Sequence, residues 1–354
     1  MKYKGFKTLF CFFLCCALVL GSVLSGEKTG AFVSGILACF SPRINNISPV
    51  SSGNNVYSII GYGGGGYADA SASNTSSDIE QMKRQAEKVF KNYTKAGNIE
   101  EVQMGATSKT LSYGNVLVDN KTDTTISLKK LLNETPHYTP IDKNKPCILV
   151  YHTHSTEGYE MLDLGWYAKE YDSRTKDKSK NMIRVGEELV KALENAGFKV
   201  IHDKNIYDES YDGAYSRSRV TVEKYLKKYP SIFITLDVHR DAIYYDSGTR
   251  GKPTAKINGK KAAQVMIITG CEGNGVQNFS EWYKNLVFAT HLQRSVEKSA
   301  EGLMRPVFFC NRKYNMDVTP CSLLLEFGTD ANTLEEAVYS AQLVGNALAD
   351  MLKG

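Results

Sequence analysis

The sequence predicts an α/β domain with a mostly parallel central sheet and helices on both faces. From residue 146 onward, short apolar segments alternate with longer amphipathic segments, and this alternation is typical of parallel sheets crossed by helices. The central apolar segments are nearly continuous, as strands buried on both faces are. Ligands bind such sheets at the carboxyl ends of the strands, so polar residues that follow the strands become candidates for function.

Residues 1–28 are predicted to form an N-terminal signal anchor, a transmembrane helix that precedes the folded part. Lys2, Lys4 and Lys7 lead into the apolar stretch 9–25, which is the pattern of a signal peptide or a signal anchor. An uncleaved anchor is favoured over cleavage. In either case we expect the rest of the chain to lie outside the cytoplasm.

Two further regions are predicted between the anchor and the α/β domain. Residues 29–78 are rich in glycine and serine and form a flexible linker. Residues 79–145 form a small accessory region, with an amphipathic helix at 79–95 and Asp78 as its N-cap. A small strand pair and a helical turn are expected within 100–134. The α/β domain occupies residues 146–354.

Six strands and four helices are predicted in the α/β domain from its apolar runs and amphipathic stretches. The strands are at 147–154, 198–203, 231–241, 263–270, 305–310 and 321–328. The helices are at 181–197, 218–229, 280–302 and 332–353. Glycine closes the first and third helices, as the end of a helix often requires.

Charge and cysteine content exclude some classes of protein. The net charge of +5 is only mildly basic, so we expect no nucleic-acid partner, whereas a polyanionic surface such as a cell wall is compatible. The cysteines of the folded part lack the C-x-x-C spacing of a zinc ribbon. We expect them to be buried free thiols, and one disulfide is the alternative. They are Cys147, Cys271, Cys310 and Cys321.

Functional side chains collect at the predicted ends of three strands. They are His152, His154 and Glu157 after the first strand, Asp237, His239, Arg240 and Asp241 at the end of the third, and Glu326 in the last. Because the carboxyl ends of parallel strands share one edge of the sheet, these groups would converge although they are distant in sequence. The alternative interpretation is that these residues are ordinary polar groups at strand ends and have no role in function.

Two imidazoles and a carboxylate are the donor set of a catalytic zinc site. Such a site also needs a carboxylate that takes up a proton and returns it to the leaving amine. Glu326 fits that role, because a carboxylate within an apolar run is costly to bury unless it is paired or functional. Asp237 would orient His239. Arg240 would either bind a substrate carboxylate or pair with Asp241.

Four segments, in this order, resemble the stage II sporulation protein P family of endospore-forming bacteria. They are YHTHSTEGY, NMIRVGEELVKALENAG, LDVHRDA and TPCSLLLEFGTDANTLEEA, and the resemblance covers about residues 147–354. That family is similar to zinc-dependent N-acetylmuramoyl-L-alanine amidases. The resemblance implies Zn²⁺ as cofactor and peptidoglycan as substrate, cut at the amide between muramic acid and the stem peptide. An endopeptidase cut of peptide cross-links is also implied.

The same resemblance implies a place and partners for the protein. It would act in engulfment of the forespore, anchored in the mother cell membrane with its domain facing the intermembrane space. The implied partners are the lytic transglycosylase called stage II sporulation protein D and other engulfment membrane proteins.

Family motifs carry over to individual residues. The pattern Thr-His-x-x-Glu matches residues 153–157, and Asp-x-His-Arg-Asp matches residues 237–241, which implies His154 and His239 as zinc ligands. The wider amidase pattern Glu-x-Gly-x-x-x-Asn matches Glu326 and Asn332, which implies Glu326 as the catalytic acid and base.

One departure from the wider amidases leaves the third ligand open. Those enzymes place a zinc-binding glutamate at the start of the helix after the first strand, but no glutamate stands near 178–181 here. Glu157 is the preferred ligand and Asp177 the alternative. His152, Asp237, Arg240, Asp241 and Asn332 are then expected behind the ligands or in contact with substrate. The competing functions are a non-catalytic peptidoglycan-binding scaffold that recruits a partner hydrolase, and a metallocarboxypeptidase.

Overall fold

The computed structural model describes residues 74–138 and 141–354. The predicted anchor and most of the predicted linker therefore lie outside the described residues. Within the described part, none of the helices combines the length and the hydropathy needed to cross a bilayer.

The described residues form six helices and twelve strands. The helices are α1 (Asn74–Phe90), α2 (Leu128–Asn133), α3 (Met182–Asn195), α4 (Ala214–Lys228), α5 (Trp282–Ser299) and α6 (Leu334–Lys353). The strands are β1 (Lys95–Val102), β2 (Leu111–Tyr113), β3 (Val116–Asn120), β4 (Pro146–Tyr151), β5 (Trp166–Ala168), β6 (Lys199–His202), β7 (Ile234–Asp241), β8 (Arg250–Ile257), β9 (Lys260–Ala263), β10 (Val265–Gly270), β11 (Val307–Cys310) and β12 (Cys321–Thr329).

A large eight-stranded sheet carries the strands predicted for the α/β domain. Its order is β2-β3-β11-β10-β12-β7-β4-β6. Only the pairs β2–β3 and β10–β12 are antiparallel, so the sheet is mostly parallel. The predicted α/β class is confirmed, and each of the six predicted strands and four predicted helices is present within a few residues.

Helices cover both faces of this sheet. Along β4, Ile148 and Val150 point into the main core, which also holds Leu189 of α3. The alternate residues Leu149 and Tyr151 pack on the other face, against Val222 of α4. This alternation is the two-residue period of a strand, and it gives the sheet two chemically distinct faces.

A second sheet was not predicted. Its order is β5-β1-β8-β9, in which β1 pairs in parallel with β8 and antiparallel with β5. The two central strands, KAGNIEEV and RGKPTAKI, are polar and one contains a proline, so they lack the apolar pattern that indicates a strand.

The region 79–145 contributes to both sheets. The predicted strand pair corresponds to β2 and β3, and β3 pairs with β11 at one side of the large sheet. The predicted first helix is present as α1, but it begins at Asn74. Asp78 therefore lies inside the helix, and its assignment as N-cap was wrong. The boundaries at 78 and 145 stay predictions.

The four cysteines of the described residues confirm the prediction of buried free thiols.

Candidate metal centre

Strand register brings two predicted site residues together on one face of the large sheet. β7 and β12 are parallel neighbours, and Glu326 stands directly opposite His239. Asp237 lies two residues earlier on β7, so its side chain points to the same face as His239. This face is the one that α4 covers, because Asp237 is paired with Tyr151 of β4.

A tight turn after β4 supplies the other two residues. The strand ends at Tyr151, and the backbone N–H of Glu157 donates to the carbonyl of His154 at 3.1 Å. This turn brings the His154 and Glu157 side chains together. The backbone N–H and hydroxyl of Thr153 both donate to the carboxylate of Asp237, at 2.8 and 2.6 Å, which ties the turn to β7.

His154, Glu157 and His239 form a compact buried cluster. One ligand atom from each lies within 4.8 Å of the others. Oε1 of Glu157 is 3.4 Å from Nδ1 of His154, and Oε2 is 3.3 Å from Nδ1 of His239. Among the residues that the structure describes, this is the one group of three or more such side chains with that spacing. Two imidazoles and a carboxylate are a donor set that suits zinc.

The charges within the cluster favour a cation between these side chains. Burial alone would raise the pKa of Glu157, but His154 and His239 lower it, and the net pKa lies well below its ordinary value. Burial alone would lower the pKa of His239, but Asp237 and Glu157 raise it, and the net pKa lies well above its ordinary value. Glu157 is thus an anion, and a divalent cation could replace the proton that His239 holds.

Asp237 lies on the far side of His239 from Glu157. Its Oδ1 is 2.9 Å from Nε2 of His239, but the two atoms are not aligned for a hydrogen bond, and this nitrogen is buried without a partner. The placement fits the predicted orienting role, because a metal-binding histidine commonly has a carboxylate behind it.

Glu326 contributes an unpaired carboxyl group beside the cluster. The residue is half-buried, and its Oε2 is buried without a hydrogen-bond partner. Burial, helped by the charge of Asp241, raises the pKa of Glu326 to about 8, although His239 opposes the shift. A carboxyl group with a pKa near neutrality can both accept and donate a proton.

Arg240 and Asp241 supply no side-chain ligand to the cluster. The Arg240 guanidinium is buried and donates to the carbonyl of Gly158 at 2.8 Å and to the backbone carbonyl of Asp241 at 3.3 Å. Its backbone N–H donates to Glu157 at 3.2 Å, so Arg240 fixes the segment that carries Glu157. The Asp241 carboxylate pairs with Arg305 at 2.9 Å. The predicted pair of Arg240 with the Asp241 carboxylate was therefore wrong, and the alternative, that Arg240 binds a substrate carboxylate, stays a prediction.

Arg174, which the sequence did not single out, also contacts the cluster. Its Nη2 is 3.3 Å from Oε1 of Glu157, and its Nη1 is 3.1 Å from the carboxylate of Asp208. The arginine lies in a loop without periodic pattern, so only the fold could show this contact.

Three tyrosines line the same face and were also missed. The Tyr211 ring stacks on His154, with ring centres 4.6 Å apart, and Tyr215 meets His154 edge-on at 5.4 Å. Tyr215 in turn stacks with Tyr314 at 5.1 Å. The one sequence signal was the pair of tyrosines in YDGAY, directly before a predicted helix.

Comparison with known proteins gives the family. A family model described as stage II sporulation protein P matches residues 63–350. The chain belongs to the stage II sporulation protein P family. It is 33% identical over 221 residues to the protein of that name from Bacillus subtilis, a match that covers 59% of this chain and 51% of the relative. The chain thus spans about half the length of that curated relative.

Solved structures of amidases are also similar to this member of the family. N-acetylmuramoyl-L-alanine amidase AmiC2 of Nostoc punctiforme matches with a TM-score of 0.35 and 12% identity, over 60% of this chain and 97% of that one. The CwlD amidase from Clostridioides difficile, solved with the GerS lipoprotein, gives 0.34 and 11%, over 58% and 98%.

His152 lies outside the cluster, on the other side of the large sheet. Its ring is fully buried on the opposite face, where Nδ1 donates to the carbonyl of Val238 at 3.0 Å and Nε2 is 2.9 Å from Nε2 of His202. Burial lowers the pKa of His152 to about 4 and that of His202 to about 2, so both rings are neutral. Of the two expected roles, a position behind the ligands is consistent with the bond to Val238, the residue before His239, whereas a contact with substrate is not consistent with a fully buried ring.

Asn332 is likewise buried and away from the cluster. Its Oδ1 accepts from the backbone of Thr329 at 2.9 Å, and its Nδ2 donates to the carbonyl of Pro253 at 3.1 Å. The first bond closes the turn between β12 and α6, and the second joins that turn to β8.

Glu157, and not Asp177, lies in the cluster. Asp177 is exposed and pairs with Lys180 at 3.0 Å. The first residue of α3, Met182, donates its backbone N–H to the carbonyl of Glu157 at 2.8 Å. The turn after β4 therefore carries Glu157 to the start of α3.

Proposed function

We propose that this protein is a zinc-dependent peptidoglycan hydrolase, an N-acetylmuramoyl-L-alanine amidase that acts in forespore engulfment. The observation that carries the proposal is the buried cluster of His154, Glu157 and His239 with the unpaired carboxyl of Glu326 beside it. Membership of a sporulation family supports the setting. A second cut, in the peptide cross-links, belongs to the same proposal because the chemistry of both amides is alike.

His154, His239 and Glu157 would hold the zinc ion. When bound, zinc supplies a Lewis acid that polarises a carbonyl and makes water a nucleophile near neutral pH. The donor set is preorganised, since Arg240 and Arg174 contact Glu157 and Asp237 stands behind His239.

Glu326 would carry the proton. Its Oε2 takes the proton from the attacking water as the carbon–oxygen bond forms. The same oxygen then donates that proton to the amide nitrogen of the stem peptide, and the carbon–nitrogen bond breaks. A carboxyl group whose pKa burial has raised suits both steps.

The location and partners follow from the same proposal. Residues 1–28 would anchor the chain in the mother cell membrane, and 29–78 would act as a tether. The region 79–145 would support the catalytic domain at 146–354, which faces the intermembrane space. The partner would be stage II sporulation protein D, whose transglycosylase activity would act on the same wall.

Release of peptide from purified sacculi tests the proposal. We expect the full-length protein to be active with zinc and inactive after chelation. Glu326→Gln should lower the rate by about 10²–10⁴-fold, whereas Glu301→Gln, at an exposed position, should not. Full activity in the metal-free protein or in Glu326→Gln would contradict the mechanism. Binding to sacculi without release by the zinc-loaded protein would favour the scaffold.

A further inference from the structure

Three tyrosine rings form a continuous wall against the candidate metal centre. Tyr211 stacks on His154 with an angle of 21° between the rings, and Tyr215 lies nearly parallel to His239 at 11°. Tyr314 extends the wall from Tyr215 with an angle of 27°. Each wall residue therefore touches a predicted metal ligand or the next ring along, and we call these three residues the aromatic wall.

The aromatic wall reaches solvent where the ligands do not. Tyr211 is 44% exposed, whereas His154 is 7% and His239 is 2% exposed. Tyr215 and Tyr314 are half-buried. Large exposed aromatic side chains beside a polar cluster are typical of binding sites. A substrate that approaches the cluster from this side meets the wall first.

Specific contacts hold Tyr211 in place. Arg217 donates to the backbone carbonyls of Ser210 and Asp212, the two neighbours of Tyr211, and to the carbonyl of Tyr207 at 2.6 Å. Three backbone carbonyls thus converge on one guanidinium, which fixes the loop between β6 and α4.

The position of Tyr314 requires backbone strain. Tyr314 and Asn315 have φ angles of +44° and +57°, a left-handed region that costs a bulky residue free energy and often marks functional sites. The Asn315 side chain donates to the backbone carbonyl of Tyr215 at 3.0 Å, and this bond joins the strained turn to the wall. This unfavourable backbone conformation places the Tyr314 ring beside Tyr215.

The charges beside the wall are already paired. The Arg174 guanidinium pairs with Glu157 and Asp208 and also lies over the Tyr211 ring, 5.5 Å from its centroid, and Arg219 pairs with Asp317 at 2.6 Å. A neutral ligand with an apolar face therefore suits the wall better than the carboxylates of a stem peptide. The C–H bonds on one face of a sugar ring carry a small positive charge, and the face of an aromatic ring is negative.

We infer that the aromatic wall is a binding subsite for one neutral amino-sugar ring of the glycan strand, on the sugar side of the amide that is cut. This inference rests on the proposed function and names the part of the substrate that the site recognises. Under this inference, Tyr211 binds the substrate and contributes to specificity. Proton transfer remains the role of Glu326.

Binding of a glycan fragment tests the inference separately from catalysis. The probe is the neutral disaccharide of two N-acetylglucosamine residues, titrated by NMR into full-length, zinc-loaded Glu326→Gln protein. Adding Tyr211→Ala should weaken disaccharide binding about fivefold to tenfold and leave binding of a free stem peptide unchanged. Tyr211→Phe should bind the disaccharide nearly as well as Tyr211 does, because stacking needs the ring.

Two controls keep the result specific. Tyr113→Ala removes a ring that is equally exposed, at 47%, on the edge strand β2, and it should change nothing. Zinc content should be equal in all variants. In otherwise wild-type protein, Tyr211→Ala should raise KM on glycan-attached peptides and leave kcat nearly unchanged.

Equal disaccharide binding with and without Tyr211 would overturn the inference. So would a loss of stem-peptide binding in Tyr211→Ala with no change for the disaccharide. Disaccharide binding that depends on Tyr211, in a protein that releases no peptide from sacculi, would uphold the subsite and refute the proposed hydrolase.

Discussion

Gly186 of α3 lies against the buried pair of His152 and His202, and Gly186→Ala tests how tightly that pair is held. A β-carbon at this position would lie 2.5 Å from Cε1 of His152 and 2.9 Å from Nε2 of His202. The rings have little room to move aside, because His152 also binds the carbonyl of Val238 at 3.0 Å. Val238 directly precedes the predicted ligand His239.

Two opposing effects set the expected magnitude. Alanine in a helix interior is more favourable than glycine by about 1 kcal/mol. Overpacking of a filled core costs about 1–3 kcal/mol. We therefore expect Gly186→Ala to lower the free energy of unfolding by about 0–2 kcal/mol. If the His152 bond to Val238 weakens as well, zinc affinity should fall about tenfold or more, as when a residue behind a ligand is lost.

Gly345→Ala in α6 is the matched control. Its β-carbon would lie 2.6 Å from Cβ of Ala192 and 3.0 Å from the carbonyl of Leu189, so the crowding is similar but the histidine pair is not touched. Urea unfolding gives the stability of both variants, and competition with a chromophoric chelator gives their zinc affinity. A Gly186→Ala protein that is about 1 kcal/mol more stable than wild type, with unchanged zinc affinity, would refute the reasoning.

Three further changes have expected outcomes. Burial raises the pKa of Glu160 from 4.5 to about 7, so the folded state keeps a proton that the unfolded state releases, and stability falls as pH rises between these values. The stability gained by Glu160→Gln in urea unfolding should thus be about 3 kcal/mol larger at pH 8 than at pH 4, and equal gains would contradict the shift. His202→Leu leaves Nε2 of His152 without a partner and should lower stability in thermal unfolding by about 1–3 kcal/mol. His202→Gln can still donate and should lose less, whereas equal losses would exclude the hydrogen bond. Asp237→Asn should weaken zinc binding by about 10–100-fold in a chelator competition, and unchanged affinity would remove the orienting role.

The site could be anticipated largely because it lies at strand ends. β4, β7 and β12 are parallel neighbours with apolar sequences, so their carboxyl ends meet at one edge whatever the detailed geometry. That rule brings His154, His239 and Glu326 together, although 172 residues separate the first from the last. The preference for Glu157 over Asp177 rested on its place three residues after His154, and the structure does bring Glu157 into the cluster.

The position of His152 on the opposite face from His154 has a local cause. The first strand was expected to run to residue 154, but it ends at Tyr151 and a turn begins at Thr153. A strand that ends early rotates the following side chains, so His152 and His154 face different sides of the sheet. Strand ends are set by hydrogen bonds to neighbouring strands, and the apolar pattern does not show where those bonds stop.

The small sheet and the aromatic wall depend on contacts that local sequence does not reveal. β1 pairs with β8 about 150 residues later, and both strands are polar, so no apolar period marks either one. Tyr211 and Tyr314 lie in irregular loops. Their positions depend on Arg217 and Asn315, whose bonds to backbone carbonyls appear only in the folded chain.

β1 and β3 each pair with strands of the later part of the chain, and this limits where the chain can be divided. β1 fills the gap between β5 and β8, and β3 continues the large sheet beyond β11. A fragment that began at residue 146 would therefore expose unpaired edges on β5, β8 and β11, and such edges are templates for aggregation. Conversely, after a single protease cut in the loop before β4, the two pieces would stay together through the strand pairs β1–β5, β1–β8 and β3–β11. Residues 74–138 and 141–354, expressed as separate chains, should accordingly find each other and assemble.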